Sequence, residues 1–149
     1  MAGFDREHAA AAEREQRNRD WAARGFASRL LPIIPPDAPL SSGSKVPAEN
    51  RGKVPGKLGI GGWHGYDWRS APPATNGNLR AWAASGAGLG IRLGDGLIAV
   101  DIDVLDERLA EEIARLVSEH LGSSPVRIGR PPKRLMLYRV ADDVSSKAR

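Results

Sequence analysis

The stretch IRLGDGLIAVDID, residues 91–103, constrains the fold most, because it combines a tight-turn signal with an alternating apolar run. Asp95-Gly96 separates two apolar runs, and both central residues of a type I′ turn need a positive φ. The sequence therefore predicts a pair of antiparallel strands joined by this turn. Alternation divides the second strand into one face with Ile98, Val100 and Ile102 and another with Leu97, Ala99, Asp101 and Asp103.

Asp101 and Asp103 are expected to point the same way, with Cβ atoms about 6–7 Å apart. Two like charges on so apolar a strand repel each other and lose solvation unless a positive charge lies between them. Mg²⁺ and Mn²⁺ prefer carboxylate oxygens and complete their shells with water or substrate phosphates. The pair is therefore a candidate metal site. The simpler interpretation is a strand that ends in solvent, with Asp103 or Asp106 as the N-cap of a following helix.

Composition bounds the class of protein. A chain of 149 residues is long enough to bury a core and suits one domain. It has 41% hydrophobic and 27% charged residues and no apolar run near the ~20 residues of a membrane span. The absence of cysteine excludes disulfides and thiolate metal sites. The charged start of the sequence lacks the apolar segment of a signal peptide, so we expect a cytoplasmic protein without membrane partners.

Charge is unevenly distributed along the chain. Residues 70–122 carry four basic and eight acidic side chains, whereas residues 123–149 carry seven basic and two acidic ones. Residues 21–69 carry seven basic and three acidic side chains. Basic flanks around an acidic centre suit a polyanionic ligand that is held by cations and by a metal at its phosphates. Solvated charged faces produce the same counts.

The first half of the chain reads as one helix followed by irregular structure. A helix is predicted from Asp5 to Arg24, ended by Gly25, with a short strand within residues 26–34. Residues 35–62 form a long connection that is either functional or mobile. Within it Lys53 and Lys57 are candidates to meet phosphates, although a flexible basic loop is equally consistent. Residues 62–68 hold three aromatic side chains that either stack on bases or anchor a core edge.

The second half reads as helices and a basic hairpin. Thr75 is expected to N-cap a short helix that stops near Gly86. Residues 106–121 form an amphipathic pattern that ends at Gly122. Its predicted apolar stripe contains Leu109, Ile113, Leu116, Val117 and His120. Strands at 125–128 and 134–140 flank the turn 129–133. Five basic residues between 127 and 139 either bind a triphosphate or protect a sheet edge.

Taken in this order, the motifs resemble the N-terminal catalytic domain of bifunctional DNA primase/polymerases (prim-pol), a family of the archaeo-eukaryotic primase superfamily found in plasmids, phages and prophages. The resemblance spans most of residues 20–140. The matching segments are Gly25-Phe26 with residues 32–35, the loop 51–56, residues 63–68, Trp82, residues 88–92, residues 97–103 and residues 127–139.

The resemblance implies a template-directed nucleotidyltransferase with an RRM-like mixed or antiparallel sheet and flanking helices. Asp101 and Asp103 would hold Mg²⁺ or Mn²⁺, which orients the α-phosphate and activates a 3′-hydroxyl. The family usually presents a histidine to the incoming triphosphate, and here Lys133 stands about where it would fall. The residues expected to bind nucleotide or phosphate are Arg127, Arg130, Lys133, Arg134 and Lys53. The implied partners are single-stranded DNA, nucleoside triphosphates and either a downstream helicase segment or a partner chain.

The sequence departs from the family at its end. The family completes its site with a third acidic residue on a later strand, and only Asp142 and Asp143 follow the basic hairpin here. We therefore expect an incomplete α+β prim-pol domain at 25–140, preceded by a helix at 1–24 and followed by a polar tail at 141–149.

Three functions remain open from the sequence. The first is a DNA primase/polymerase domain or fragment that acts in plasmid, phage or prophage replication. The second is a non-catalytic remnant that binds nucleic acid or nucleotide and lacks the third carboxylate. The third is an unrelated metal-dependent phosphoryl-transfer protein, for which activity would not depend on a template.

Overall fold

The chain forms two compact units, Met1–Arg92 (unit 1) and Leu93–Arg149 (unit 2). The computed structural model describes residues 2–140, with side chains from residue 6 onward. Both units combine helix with antiparallel strands, so the α+β class is confirmed. The paired strands within residues 2–140 form two sheets of two strands and one of three, and the RRM-like arrangement stays a prediction. The predicted tail at 141–149 lies outside the described residues.

Unit 1 begins with helix α1, Ala2–Trp21. A π-helical turn, Ala22–Phe26, follows it, and Gly25 has a φ of 89° there, which confirms the predicted helix end. The buried Asn18 donates a hydrogen bond from Nδ2 to the carbonyl oxygen of Leu79 at 3.2 Å. Because this bond satisfies a buried amide, it fixes α1 against the helix that carries Leu79. The first helix is therefore part of unit 1 and does not stand apart from it.

The helix that carries Leu79 is α2, Asn76–Ala84. Its first turn is capped as predicted, because the Asn78 amide donates to Thr75 Oγ1 at 3.2 Å and the Thr75 amide donates to Asn78 Oδ1 at 2.9 Å. This reciprocal capping box satisfies two backbone donors that a helix start otherwise leaves unpaired. Gly86 has a φ of 75° just beyond the end of the helix.

No helix within residues 2–140 is long and apolar enough to cross a membrane.

The strands of unit 1 form two short antiparallel pairs. Strand β1, Leu30–Ile33, pairs with β4, Gly88–Ile91. Strand β2, Lys57–Gly59, pairs with β3, Gly62–His64. The predicted long connection therefore contains β2 as well as a 3₁₀ turn at Ala48–Asn50.

The connection also packs closely against Ile34, which is fully buried beside Ala38, Trp63 and Ala87. The Ile34 amide donates to the carbonyl oxygen of Val54 at 3.1 Å. A Cβ on Gly56 would lie 2.3 Å from Ile34 Cγ1, so only glycine fits there.

Unit 2 begins with the predicted tight turn, but the strands beside it do not pair as expected. Asp95 and Gly96 have φ values of 46° and 79°, and the amide and carbonyl groups of Gly94 and Leu97 bond to each other at 2.8 and 3.0 Å. The turn is therefore confirmed. The predicted pairing of the flanking runs is wrong, because β4 pairs with β1 and the next strand, β5 at Leu97–Ile102, pairs elsewhere. Gly94, with a φ of 103°, interrupts the extended path before the turn.

Strand β6, Val126–Ile128, and strand β7, Arg134–Arg139, form the predicted basic hairpin. The sheet of unit 2 has three strands in the order β5, β7, β6. Helix α3, Glu107–Leu121, follows Asp106, whose Oδ1 accepts a hydrogen bond from the Leu109 amide at 2.8 Å. Asp106 is thus the N-cap, as one of the two sequence interpretations proposed.

Helix α3 packs on one face of this sheet through small side chains. Ala110 and Ala114 are buried against Ile102 and Met136. The predicted apolar stripe is wrong in part, because Leu109 and Leu116 are 48% and 41% exposed. Alanine has too little side chain to hold the helix away from the strands, so the contact runs along the alanine side of the helix and leaves the leucines outside it.

Candidate functional site

The two candidate aspartates are on the sheet face opposite α3. The register pairs Val100 with Met136 and Asp101 with Leu135. Since Ile102 and Met136 pack against α3, alternation places Asp101 on the other face. Asp103 follows the last residue of β5 and keeps the same alternation. The predicted division of the strand into two faces is therefore confirmed.

Asp103 already has a cationic partner. The Lys133 ammonium forms an ion pair with Asp103 Oδ1, and the side chains are 34% and 69% exposed, respectively. Lys133 precedes β7 and stands opposite Asp103 when the β5–β7 register is continued by one residue. Exposed pairs of this kind contribute about 0–1 kcal/mol, so the contact can open at little cost.

Asp101 and Asp103 are both exposed to solvent. The apolar strand predicts that both carboxylates lose solvation, and the structure instead leaves both in water. No desolvation penalty therefore requires a metal ion here, and Lys133 supplies a positive charge beside Asp103.

Arg127 lies in the same cross-strand row as Asp101. Leu135 is registered with Asp101 on one side and with Arg127 on the other, so the three side chains share one face. Two strand spacings place the backbones of Asp101 and Arg127 about 10 Å apart, within the reach of a ligand that contacts both side chains. The structure thus brings Asp101, Asp103, Lys133 and Arg127 to one surface, which we call the acid–base face.

Arg134 and Arg130 belong to other parts of unit 2, and Lys53 belongs to unit 1. Arg134 is registered with Ile102 and Ile128 and belongs to the α3 side of the sheet. Its Nε donates to the carbonyl oxygen of Pro132 at 3.3 Å. Arg130 lies in the turn between β6 and β7, where its carbonyl oxygen accepts from the Lys133 amide at 3.0 Å. Lys53 is an exposed residue of unit 1.

The glycines beside Lys53 have a structural role. Gly52 donates to the carbonyl oxygen of Ile34 at 2.7 Å, and Gly56 donates to that of Pro32 at 3.0 Å. Gly56 has no room for a Cβ beside Ile34, and Gly52 has a φ of 77°, so both glycines serve the backbone path within unit 1.

The described residues do not contain a complete metal-ligand cluster. Within residues 2–140, no group of three or more His, Asp or Glu side chains converges as metal ligands do. Asp142 and Asp143, which the sequence offers as later acids, lie outside the described residues.

The ion pair between Lys133 and Asp103 is the feature that sequence reasoning missed. It depends on the pairing of β5 with β7, which are more than thirty residues apart in the chain. The only signal in the sequence was the proximity of a basic turn to an alternating acidic strand, and that signal does not fix a register.

No protein-family model, no curated protein and no solved structure matches this chain.

Proposed function

We propose that the chain is a metal-dependent, template-directed nucleotidyltransferase domain of the DNA primase/polymerase type. One observation supports this most: two adjacent carboxylates and two cations, Lys133 and Arg127, share the acid–base face. Polymerisation requires acids that hold a divalent cation beside bases that hold a triphosphate. The substrates would be nucleoside triphosphates and the template single-stranded DNA, and both are present in the cytoplasm, where we expect the protein to act.

The donor set fits the metal that this function needs. Asp101 and Asp103 offer carboxylate oxygens, which Mg²⁺ and Mn²⁺ prefer, and both are open to water and to substrate phosphates. A metal at Asp103 would replace the Lys133 ammonium, which is free to turn because its pair with Asp103 is exposed. Bound there, the metal would activate a 3′-hydroxyl and neutralise charge on the α-phosphate.

The cations have a separate role in this proposal. Once released from Asp103, Lys133 would bind a phosphate of the incoming triphosphate as a point charge. Arg127 would bind the same group with its planar fork of donors. Arg130, in the adjacent turn, would extend the grip along the triphosphate. A third carboxylate would come from outside residues 2–140 or from a partner chain.

The test is primer extension and de novo priming with labelled nucleotides on single-stranded DNA, in Mn²⁺ or Mg²⁺. We expect the Asp101→Asn/Asp103→Asn variant to lose at least about 100-fold in rate, since metal catalysis contributes several kcal/mol. The matched control is Glu111→Gln/Glu112→Gln, which removes two exposed charges from α3 of the same unit. Equal activity of wild type and the aspartate variant would refute the proposal.

The ion pair between Lys133 and Asp103 favours a second candidate function. A carboxylate that is neutralised by lysine does not need a metal, and the basic hairpin would then serve a non-catalytic module that binds nucleic acid or nucleotide. This module would bind DNA with strong salt dependence and would keep that affinity in the Asp101→Asn/Asp103→Asn variant. A folded chain that binds DNA and makes no product would support it.

A further inference from the structure

Unit 1 carries a surface on which aromatic rings and cations alternate. The Lys57 ammonium lies 4.5 Å from the ring centroid of Tyr66, and the Arg69 guanidinium lies 4.7 Å from the ring centroid of Trp68. Arg92 donates a hydrogen bond to the carbonyl oxygen of Arg69, and its charge also acts on the Tyr66 phenol by lowering its pKa against the effect of burial. We call these five residues the aromatic–basic surface.

A cleft continues this surface at Tyr66. It has a volume of about 580 Å³, in the range typical of small-ligand sites, and is open to solvent. Its lining residues include Tyr66, His64, Lys45 and the hydroxyl-bearing Ser41 and Ser44. A ring, a cation and hydroxyl groups are the partners that a base, a phosphate and a sugar require.

Charge around the surface favours an anion. Residues 41–70 contain five basic and two acidic side chains. One of the acids, Asp67, lies between Tyr66 and Trp68 in the sequence, but its carboxylate accepts hydrogen bonds from the Ser70 hydroxyl at 2.6 Å and from the Arg69 amide at 3.3 Å. These hydrogen bonds, the Ser70 bond foremost, lower the pKa of Asp67 and hold its carboxylate against its own loop.

The two rings are held in place before any ligand arrives. Tyr66 and Trp68 are both half-buried, and each is paired with a cation. Burial raises the pKa of the Tyr66 phenol, although the charge of Arg92 opposes the shift. A fixed ring loses little conformational entropy when a base stacks on it.

We propose that the aromatic–basic surface of unit 1 binds a single strand of nucleic acid, with bases stacked at Tyr66 and Trp68, phosphates at Lys57, Arg69 and Arg92, and one nucleotide in the adjoining cleft. Aromatic platforms interleaved with cations are the usual means of binding single strands without sequence preference. The inference rests on the proposed function only in naming that strand as a template.

The test is fluorescence anisotropy with a labelled 20-nucleotide oligo(dT), without metal or nucleotide. It uses the Asp101→Asn/Asp103→Asn background, so that catalysis plays no part. Tyr66→Leu and Trp68→Leu should each weaken binding about 5- to 150-fold, the range for loss of one stacked base. Tyr66→Phe and Trp68→Phe keep a ring and should bind within about threefold of the parent.

A second set of variants tests the charges. These substitutions change only exposed side chains, so they give a result even if a ring variant fails to fold. Lys45→Gln/Lys57→Gln/Arg69→Gln should reduce the slope of log affinity against log salt by about 2, since each phosphate contact on a single strand contributes about 0.7. The control is Arg6→Gln/Arg17→Gln/Arg108→Gln, which removes three exposed charges elsewhere and should leave the slope unchanged.

Three results would overturn the inference: ring variants that bind like the parent, equal slopes in the two charge variants, or duplex DNA that competes as well as the single strand. These results are distinct from failure of the proposed function. Strand binding at Tyr66 and Trp68 in a chain that makes no product would uphold the inference and reject the polymerase. Metal-dependent extension that is unaffected by all ring variants would support the polymerase and reject the inference.

Discussion

The two units cover their apolar side chains to very different extents. Ten large hydrophobic side chains of the described residues are exposed, and eight of them lie in unit 2. Unit 1 surrounds fully buried residues such as Ile34 and Leu79 with two helices, four strands and a well-packed connection. Unit 2 packs one helix on one face of a three-stranded sheet. Tertiary packing therefore contributes more to the stability of unit 1 than to that of unit 2. The fold of unit 2 depends relatively more on local interactions at its turn and helix cap.

The largest expected effect contrasts a buried leucine of unit 1 with an exposed leucine of unit 2. Leu79→Ala should lower the free energy of unfolding by about 2–5 kcal/mol, because it leaves a cavity between the helices. Leu105→Ala makes the same chemical change at a side chain that is 67% exposed, and should alter it by less than about 0.5 kcal/mol. Urea denaturation followed by tryptophan fluorescence measures the first effect, because all four tryptophans lie in unit 1.

Since unit 2 contains no tryptophan, the Leu105→Ala variant is followed by circular dichroism and by hydrogen exchange of the α3 amides. Equal losses from Leu79→Ala and Leu105→Ala would break the comparison between the units.

Two glycines, Gly96 in unit 2 and Gly77 in unit 1, compare the units by their backbone conformation. Gly96→Ala should destabilise unit 2 by about 1–2 kcal/mol, because the φ of 79° is unfavourable for any residue with a Cβ. Gly77→Ala should stabilise unit 1 by up to about 1 kcal/mol, since Gly77 lies in α2 and an added Cβ meets only Thr75 Oγ1 at 3.6 Å. Thermal unfolding followed by circular dichroism shows whether each variant raises or lowers the stability. A stabilising Gly96→Ala would show that the turn does not constrain unit 2.

The smallest effects concern the two capped helices. Thr75→Ala in unit 1 and Asp106→Ala in unit 2 should each cost about 1 kcal/mol, because each leaves a backbone amide of the first turn without its acceptor. Asp106→Asn keeps an oxygen acceptor and should recover most of the loss. Hydrogen exchange of the Asn78 and Leu109 amides reports each cap directly. Unchanged protection in the alanine variants would mean that packing alone fixes the helix ends.

Local features of both units could be predicted from the sequence. The turn at Asp95-Gly96, the caps at Thr75 and Asp106 and the basic hairpin depend on residues close together in the chain, and all are present. The partner of β4 could not be predicted, because a strand that starts with Gly88-Leu89-Gly90 has little alternation to choose between β1 and β5.

The candidate site was predictable only in part, for the same reason. Alternation alone was enough to place Asp101 and Asp103 on one face. To predict which cations face the aspartates, the register of β7 must be known. That register puts Lys133 beside Asp103 and Arg134 on the opposite side of the sheet. Neighbours in sequence point to opposite faces of a strand, so the five basic residues of the hairpin do not act as one group.

The most direct measurement is a titration of Mn²⁺ into the protein, followed by electron paramagnetic resonance of the free ion, with and without a nucleoside triphosphate. We expect wild type and Glu111→Gln/Glu112→Gln to bind Mn²⁺ equally and Asp101→Asn/Asp103→Asn to lose that binding. Lys133→Gln should bind Mn²⁺ alone more tightly, because the competing ammonium is gone, yet gain less when triphosphate is added. If both aspartate and glutamate variants bind Mn²⁺ as wild type does, the acid–base face is not a metal site.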